Sequence, residues 1–253
     1  MQLKELDRYF NAFFSIEEYK QTDSAYNGLQ VSSGKQAINK IAFAVDACME
    51  TFKRAVEMAA DLLFVHHGLF WGQPIPLKDV HYSRVKYLLS HDLALYAVHL
   101  PLDSHERYGN NAGISAMLKL NNIEPFGLYK GKKIGFKGAM PKPKTMDDIL
   151  EMLDLRKEEC QGVLPFGPDK IDTVGIISGG AAREVEQAMQ EELDIFITGE
   201  MSHQIYHQCL EGGINLIAGG HYKTEICGVK LLSEKVATDL GLETIFIDVP
   251  TGF

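Results

Sequence analysis

Apolar residues fall at helical spacing from the start of the chain, where Leu3, Leu6, Tyr9, Phe10, Phe13 and Phe14 predict an amphipathic helix over residues 2–14 with an aromatic face. A polar, turn-rich stretch follows. It ends in Tyr26-Asn27-Gly28-Leu29-Gln30-Val31, where Asn-Gly signals a turn and Leu29 begins a strand. From residue 40 the pattern changes period: KIAFAVDA reads as a strand, CMETFKRAVEMAA as a helix with Phe52, Val56 and Ala59 or Ala60 on one face, and DLLFVHHG as a second strand. A strand, a helix and a strand in this order form a crossover, so the two strands lie parallel. SRVKYLLSHD continues as a helix and LALYAVHLPLD as a third strand running into a loop, where Pro101 argues against a continuous helix.

NNAGISAMLKL, at 110–120, is a helix, and GLYKGKKIGFKGAMPKPK carries six lysines among glycines and prolines, the composition of an exposed hairpin kept soluble by charge. After a helix near 145–154 and a loop containing Pro165 and Pro168, the first pattern recurs. DTVGIISGG is a strand, AAREVEQAMQEEL a helix, DIFITGEMSH a strand with its exit loop, QIYHQCLEGG a helix and INLIAGGHYKTE a strand with its exit loop. AADLLFVHHG thus matches EELDIFITGE, and LALYAVHLPLD matches INLIAGGHYKTE. The expected fold is α/β, with two similar lobes over residues 1–126 and 127–253, each built on a mostly parallel sheet. GVKLLSEKVATDLG is a final helix and LETIFIDVPTGF a final strand that can complete either sheet, which leaves both free to pack on the first lobe.

The composition is that of an ordinary globular protein: 253 residues, 45% hydrophobic and 23% charged, are enough for one large core or two modest ones. A net charge of −9 argues against a general electrostatic affinity for nucleic acid or anionic membrane. Cys48, Cys160, Cys209 and Cys227 form no CxxC pair and no zinc-finger spacing, and the N-terminus lacks the order of a signal peptide, which predicts a reduced, cytoplasmic protein. No apolar run approaches the roughly 18 residues of a membrane span.

Chemistry concentrates where strands end. His66 and His67 close one apolar strand, and because successive side chains on a strand face opposite ways, a regular backbone does not bring both to one mononuclear tetrahedral site. They suit two metals lying side by side; the plainer alternative is one buried, hydrogen-bonded histidine and one solvated one. The other exits hold His99 and Asp103, Glu200 and His203, and His221 and Glu225. Ligands of open parallel sheets collect beyond the carboxyl ends of strands, so lobes that face each other would bring these exits into the cleft between them. Nitrogen and carboxylate donors without thiolate suit zinc, manganese, iron, nickel or cobalt. Ser178-Gly179-Gly180, leading into a helix, has the composition of a phosphate cradle.

In their order along residues 27–225, NGLQV, VHHGLFW, HLPLD, GNN, ITGEMSH and GHYKTE resemble the Nif-three-like dinuclear metal family, also labelled homologues of the type-two GTP cyclohydrolase. The resemblance covers nearly the whole chain and matches the short form, without the domain that longer members insert between the lobes. It implies that His66 and His67 are ligands of different metals, Asp103 of one, His221 of the other, and that Glu225 is shared. His99 joins this set as a near neighbour holding a ligand or a water. Glu225, Glu200 and His203 are the catalytic candidates, the last two as proton carriers or substrate contacts. Two divalent ions per chain with open coordination positions imply metal-assisted hydrolysis of a nucleotide-like small molecule. Ring-shaped homo-oligomers, hexamers by resemblance, are implied as well. One competing reading is a metal-bearing, ring-forming protein that binds other proteins or DNA without catalysis, motivated by the locally basic stretch 130–144. A third has the metals only lock the lobes together.

Overall fold

The computed structural model describes residues 1–253. In chain order its elements are α1 (Leu3–Phe14), β1 (Gly28–Val31), β2 (Lys40–Asp46), α2 (Met49–Glu57), β3 (Leu62–His67), α3 (Asp79–Ser90), β4 (Ala94–Ala97), α4 (Leu100–Asp103), α5 (Asn110–Met117), β5 (Asn121–Tyr129), β6 (Lys132–Lys144), α6 (Met146–Met152), β7 (Gly162–Pro165), β8 (Ile171–Ile176), α7 (Val185–Gln190), β9 (Ile195–Thr198), α8 (Ile205–Gly212), β10 (Asn215–Ala218), α9 (His221–Thr224), α10 (Ile226–Leu240) and β11 (Glu243–Phe246). The chain divides into two compact α/β units: Met1–Leu102 with Val229–Val249, and Asp103–Gly228 with Pro250–Phe253.

The first unit holds a five-stranded sheet in the order β1-β4-β3-β2-β11, parallel except for β1 at one edge. Alternation along the strands sends Phe43, Phe64 and Tyr96 to one face, where the Phe10 ring of α1 lies 5.1 Å from Phe64 and 5.0 Å from Tyr96. The opposite face carries Ala42, Leu63, Val65 and Leu95 against Phe52 and Ala55 of α2 and Val85 and Leu88 of α3. Both faces are covered, which is why these strands read as unbroken apolar runs.

The second unit holds a six-stranded sheet in the order β5-β6-β8-β9-β10-β7. Its centre, β8-β9-β10, is parallel, and antiparallel strands flank it on both sides. Val174, Ile176, Ile195, Ile197 and Ile217 pack on Ile114 and Leu118, at α5, and on Ile149 of α6.

Four expectations are corrected. The division falls after Leu102 rather than after residue 126, because Ile114 and Leu118 belong to the second core and β5 pairs with β6; α10, from Val229 on, and β11 belong to the first unit. The closing strand, expected to complete either sheet, takes the first, where β11 pairs with β2. The lysine-rich stretch is no free hairpin, since β6 also pairs with β8 inside the sheet, and Lys137 is bridged by Glu191 at 2.7 Å and Glu124 at 3.4 Å. The segment 162–165 is a strand, with Pro165 at its end where the ladder tolerates a missing N–H. Pro101 likewise sits in the first turn of the one-turn helix α4, where its absent N–H has no intrahelical partner to lose.

All four cysteines are free. No helix is long and apolar enough to cross a membrane.

Candidate metal centre

In the first unit, His66 and His67 end β3, and His99 follows β4, its parallel neighbour. The ring nitrogens that these three histidines offer lie within 4.8 Å of one another. His66 and His67 have ring centroids 4.6 Å apart, closer than strand alternation alone predicts, because β3 stops at His67 and Gly68 turns the chain.

Each ring is held through Nδ1. His66 is bonded there to the Val98 carbonyl at 3.0 Å, His67 to Asp46 Oδ1 at 2.9 Å and His99 to Asp23 Oδ1 at 2.9 Å. An acceptor at Nδ1 selects the tautomer that leaves the Nε2 lone pair for a metal, and it also fixes the ring. Asp23 is itself tightly placed: it accepts from the backbone N–H of Ala25 and Leu100 and from Asn27 Nδ2. Burial alone would raise its pKa, but these bonds and the His99 ring hold the carboxyl below its ordinary value. Asn27 Oδ1 accepts from the His99 N–H at 2.7 Å, and Gln30 Oε1 from the Leu69 N–H at 2.7 Å. A Cβ at Gly68 would overlap Gln30, so the glycine is what lets Gln30 brace this turn.

The second unit brings its donors together in another way. Asp103 and Glu225 are both buried, and an oxygen of one lies within 4.8 Å of an oxygen of the other. Asp103 Oδ1 accepts from Asn110 Nδ2 at 2.8 Å and from Ser178 Oγ at 3.0 Å. His221 bonds Glu200 Oε1 through Nδ1 at 2.6 Å and faces Glu225 Oε2 through Nε2 at 3.2 Å. Burial opposes charge on this ring, but Glu225 and Glu200 outweigh it and push the His221 pKa up to about 9. Gly179 has φ +67°, and a Cβ there would overlap Glu225 Oε1. Gly179 therefore makes room for the Glu225 carboxylate, an unfavourable neighbour for the phosphate that the sequence Ser178-Gly179-Gly180 suggested.

These donors fit divalent metal. Two buried carboxylates this close repel each other, and buried charge is ordinarily offset by a counter-ion, a hydrogen-bond network or a metal. Imidazole and carboxylate together suit first-row divalent ions. Of the candidates, His203 stands apart: it is exposed, lies between β9 and α8, and joins none of these clusters.

The whole fold is shared with proteins of known structure. A Thermus thermophilus protein superposes with a TM-score of 0.89 at 35% identity, covering 100% of both chains. Reduced HcgD from Methanocaldococcus jannaschii gives 0.81 at 26% identity over 98% of each chain. Residues 1–252 match the family model described as Duf34/NIF3 (NGG1p interacting factor 3). The chain belongs to the DUF34/NIF3 family. Within that family, relatives called GTP cyclohydrolase 1 type 2 homolog are 40% identical in Treponema pallidum, over 100% of both chains, and 42% identical in Archaeoglobus fulgidus, over 99% of both.

Sequence reasoning had found the DUF34/NIF3 motifs but not how they are supported. Asn27 and Gln30 of NGLQV and both asparagines of GNN turn out to be braces. Asn110 ties Asp103 to the Gly228 N–H, while Asn111 reaches the Asp103 and Ile134 carbonyls and the Ser178 N–H. Asp23 and Asp46 carried no signal at all. Their partners lie 76 and 21 residues away, beyond any local pattern.

Proposed function

We propose that the chain is a dinuclear metal-dependent hydrolase acting on a nucleotide-like small molecule, in the manner that the name of its relatives, GTP cyclohydrolase 1 type 2 homolog, describes. The observation that carries this reading is the common anchoring of His66, His67, His99 and His221, each held at Nδ1 by an oxygen of its own unit. In this proposal His66 and His67 serve different metals, Asp103 one of them, His221 the other and Glu225 both. When bound, two divalent ions supply Lewis acidity that activates water near neutral pH and stabilises developing charge on oxygen.

The chain's own residues orient and hold. Asp46 and the Val98 carbonyl fix the two β3 histidines. Asp23 fixes the His99 ring through Nδ1, which leaves Nε2 to hold a substrate group or a water by hydrogen bond. Glu200 orients His221, and its half-exposed carboxylate can pass a proton to solvent. We assign no role to His203. The DNA-binding alternative draws little from the basic stretch, because Lys137 is already paired with Glu191 and Glu124.

Elemental analysis of freshly purified tag-free protein beside His67→Ala and Glu225→Ala tests the site. The expectation is about two metals per chain in the wild type and a loss in both variants. A screen of nucleotides and their bases with the metal so named tests the activity. Wild-type protein that holds no metal and takes up none on dialysis would overturn the proposal.

A further inference from the structure

The geometry points to a second binding site in the first unit, for a planar nitrogen heterocycle that is neutral or cationic and carries no phosphate. It lies in a cavity of about 720 Å³ walled by α1, by residues 16–29 and by residues 70–74. That volume is in the range of small-molecule sites, roughly 300–1,000 Å³. None of the histidines described above lines it.

Its walls are preorganised. Ala25 and Trp71 form a β-bridge, and the Tyr26 N–H donates to the Phe70 carbonyl at 2.9 Å. This pairing sets three aromatic residues, Tyr26, Phe70 and Trp71, around one cavity, and Tyr26 is 60% exposed. Exposed rings that line a concave surface are stacking faces for planar ligands. The amide of Gln73 supplies a donor and an acceptor for ring nitrogens and carbonyls.

Charge narrows the ligand class. Asp7, Glu17 and Asp23 line the cavity, and its single cation, Lys20, is paired with Glu17 at 2.6 Å. A phosphate would enter among three carboxylates with one lysine, itself paired, to offset them, whereas a neutral or protonated base would not be repelled. The site also abuts the metal-side residues. Asp23 bonds His99, and the Trp71 ring is 5.0 Å from the His99 ring, so a ligand stacked on Trp71 would lie against the ring that packs on His99. The inference does not rest on the hydrolase reading, because binding here needs no metal.

Trp71 is the only tryptophan in the chain, so its emission reports this cavity directly. The experiment titrates guanosine and, separately, GTP into full-length protein, both metal-loaded and after chelation, and follows tryptophan fluorescence. Saturable quenching by guanosine that survives chelation is expected, with GTP about tenfold weaker or worse. Tyr26→Ala should weaken guanosine about tenfold and Tyr26→Phe should restore it, as stacking energies imply. Glu17→Gln, which frees Lys20, should bring GTP closer to guanosine. Quenching that disappears on chelation, GTP binding as tightly as guanosine, or indifference to Tyr26→Ala would each overturn the assignment. Failure of the metal analysis would leave these outcomes untouched.

Discussion

The two units share one device and use it differently. In each, three parallel strands, β2-β3-β4 and β8-β9-β10, are followed at their edge by an antiparallel strand, β1 or β7. Each third strand exits into a histidine followed four residues later by a carboxylate, His99 to Asp103 and His221 to Glu225. Even the strand starts correspond: Asp61 accepts from the N–H groups of Asn39 and Lys40, as Asp194 does from Asp172 and Thr173. The middle exits diverge. β3 ends in two imidazoles, whereas β9 runs into Gly199-Glu200, so one unit presents three imidazole nitrogens and the other a histidine among carboxylates. A duplicated scaffold thus fixes where donors stand, and a few exit residues decide their charge.

The cores offer the sharpest contrast. The Phe64 ring packs on those of Phe10, Phe14, Phe43 and Tyr96, while the Phe196 ring has Phe126 as its aromatic neighbour, 6.3 Å away between centroids. Phe64→Ala should cost about 4 kcal/mol in equilibrium urea unfolding, and Phe196→Ala less. Equal losses would mean that the aromatic layer adds nothing beyond area.

The histidine tethers come next. Asp23 has a side chain 1% exposed and Glu200 one 47% exposed, yet both hold an Nδ1. Asp23→Asn should lower stability by about 2 kcal/mol, since a buried network loses its charged acceptor. Glu200→Gln should leave stability within about 0.5 kcal/mol. Both should weaken metal binding about 10- to 100-fold, which competition with a chromogenic chelator measures. A tether that changes stability but not metal affinity would break the parallel between the units.

Smaller still are the strand-start carboxylates. Asp61→Asn and Asp194→Asn should each cost about 1 kcal/mol, read as a shift in urea midpoint. Only Asp61 is paired with a lysine, Lys35 at 2.7 Å. Burial would raise its pKa, but Lys35 and the amides of Asn39 and Lys40 hold it below the ordinary value. Its stabilisation is therefore full above the unfolded value of about 4 and is lost as pH falls through the lower folded one.

His221 acts at the other end of the scale. In chelated protein its raised pKa makes a contribution that is full below the unfolded value of about 6.5 and fades as pH rises through about 9. Replacing His221 with Gln should flatten that alkaline slope in thermal melts and leave the Asp61 acid limb unchanged.

How far the sequence announced these features depended on whether they were local. The parallel cores were legible because six apolar strands alternate with helical spacing, and the exit residues because glycine and polar groups end each run. β6 was misread because lysine, glycine and proline mask a strand whose pairing with β8 depends on residues well downstream, from Phe136 with Ile176 to Lys144 with Ile171. β7 was missed because one proline ends this four-residue strand and another follows three residues later, and the strand exists only through β10. His66 and His67 could be seen, while Asp46 and Asp23, which make them useful donors, could not, since an acceptor is chosen by the fold and leaves no spacing of its own.

The return of the chain to pair β11 with β2 also orders the steps of folding. Glu243 stands beside Lys40 in the first sheet, so that sheet is incomplete until a partner some two hundred residues downstream has left the ribosome. Residues 103–228 contain every strand of the second sheet without interruption and can settle during synthesis. The half of the protein made first is then the half finished last, with the exposed side of β2 held open for its final strand.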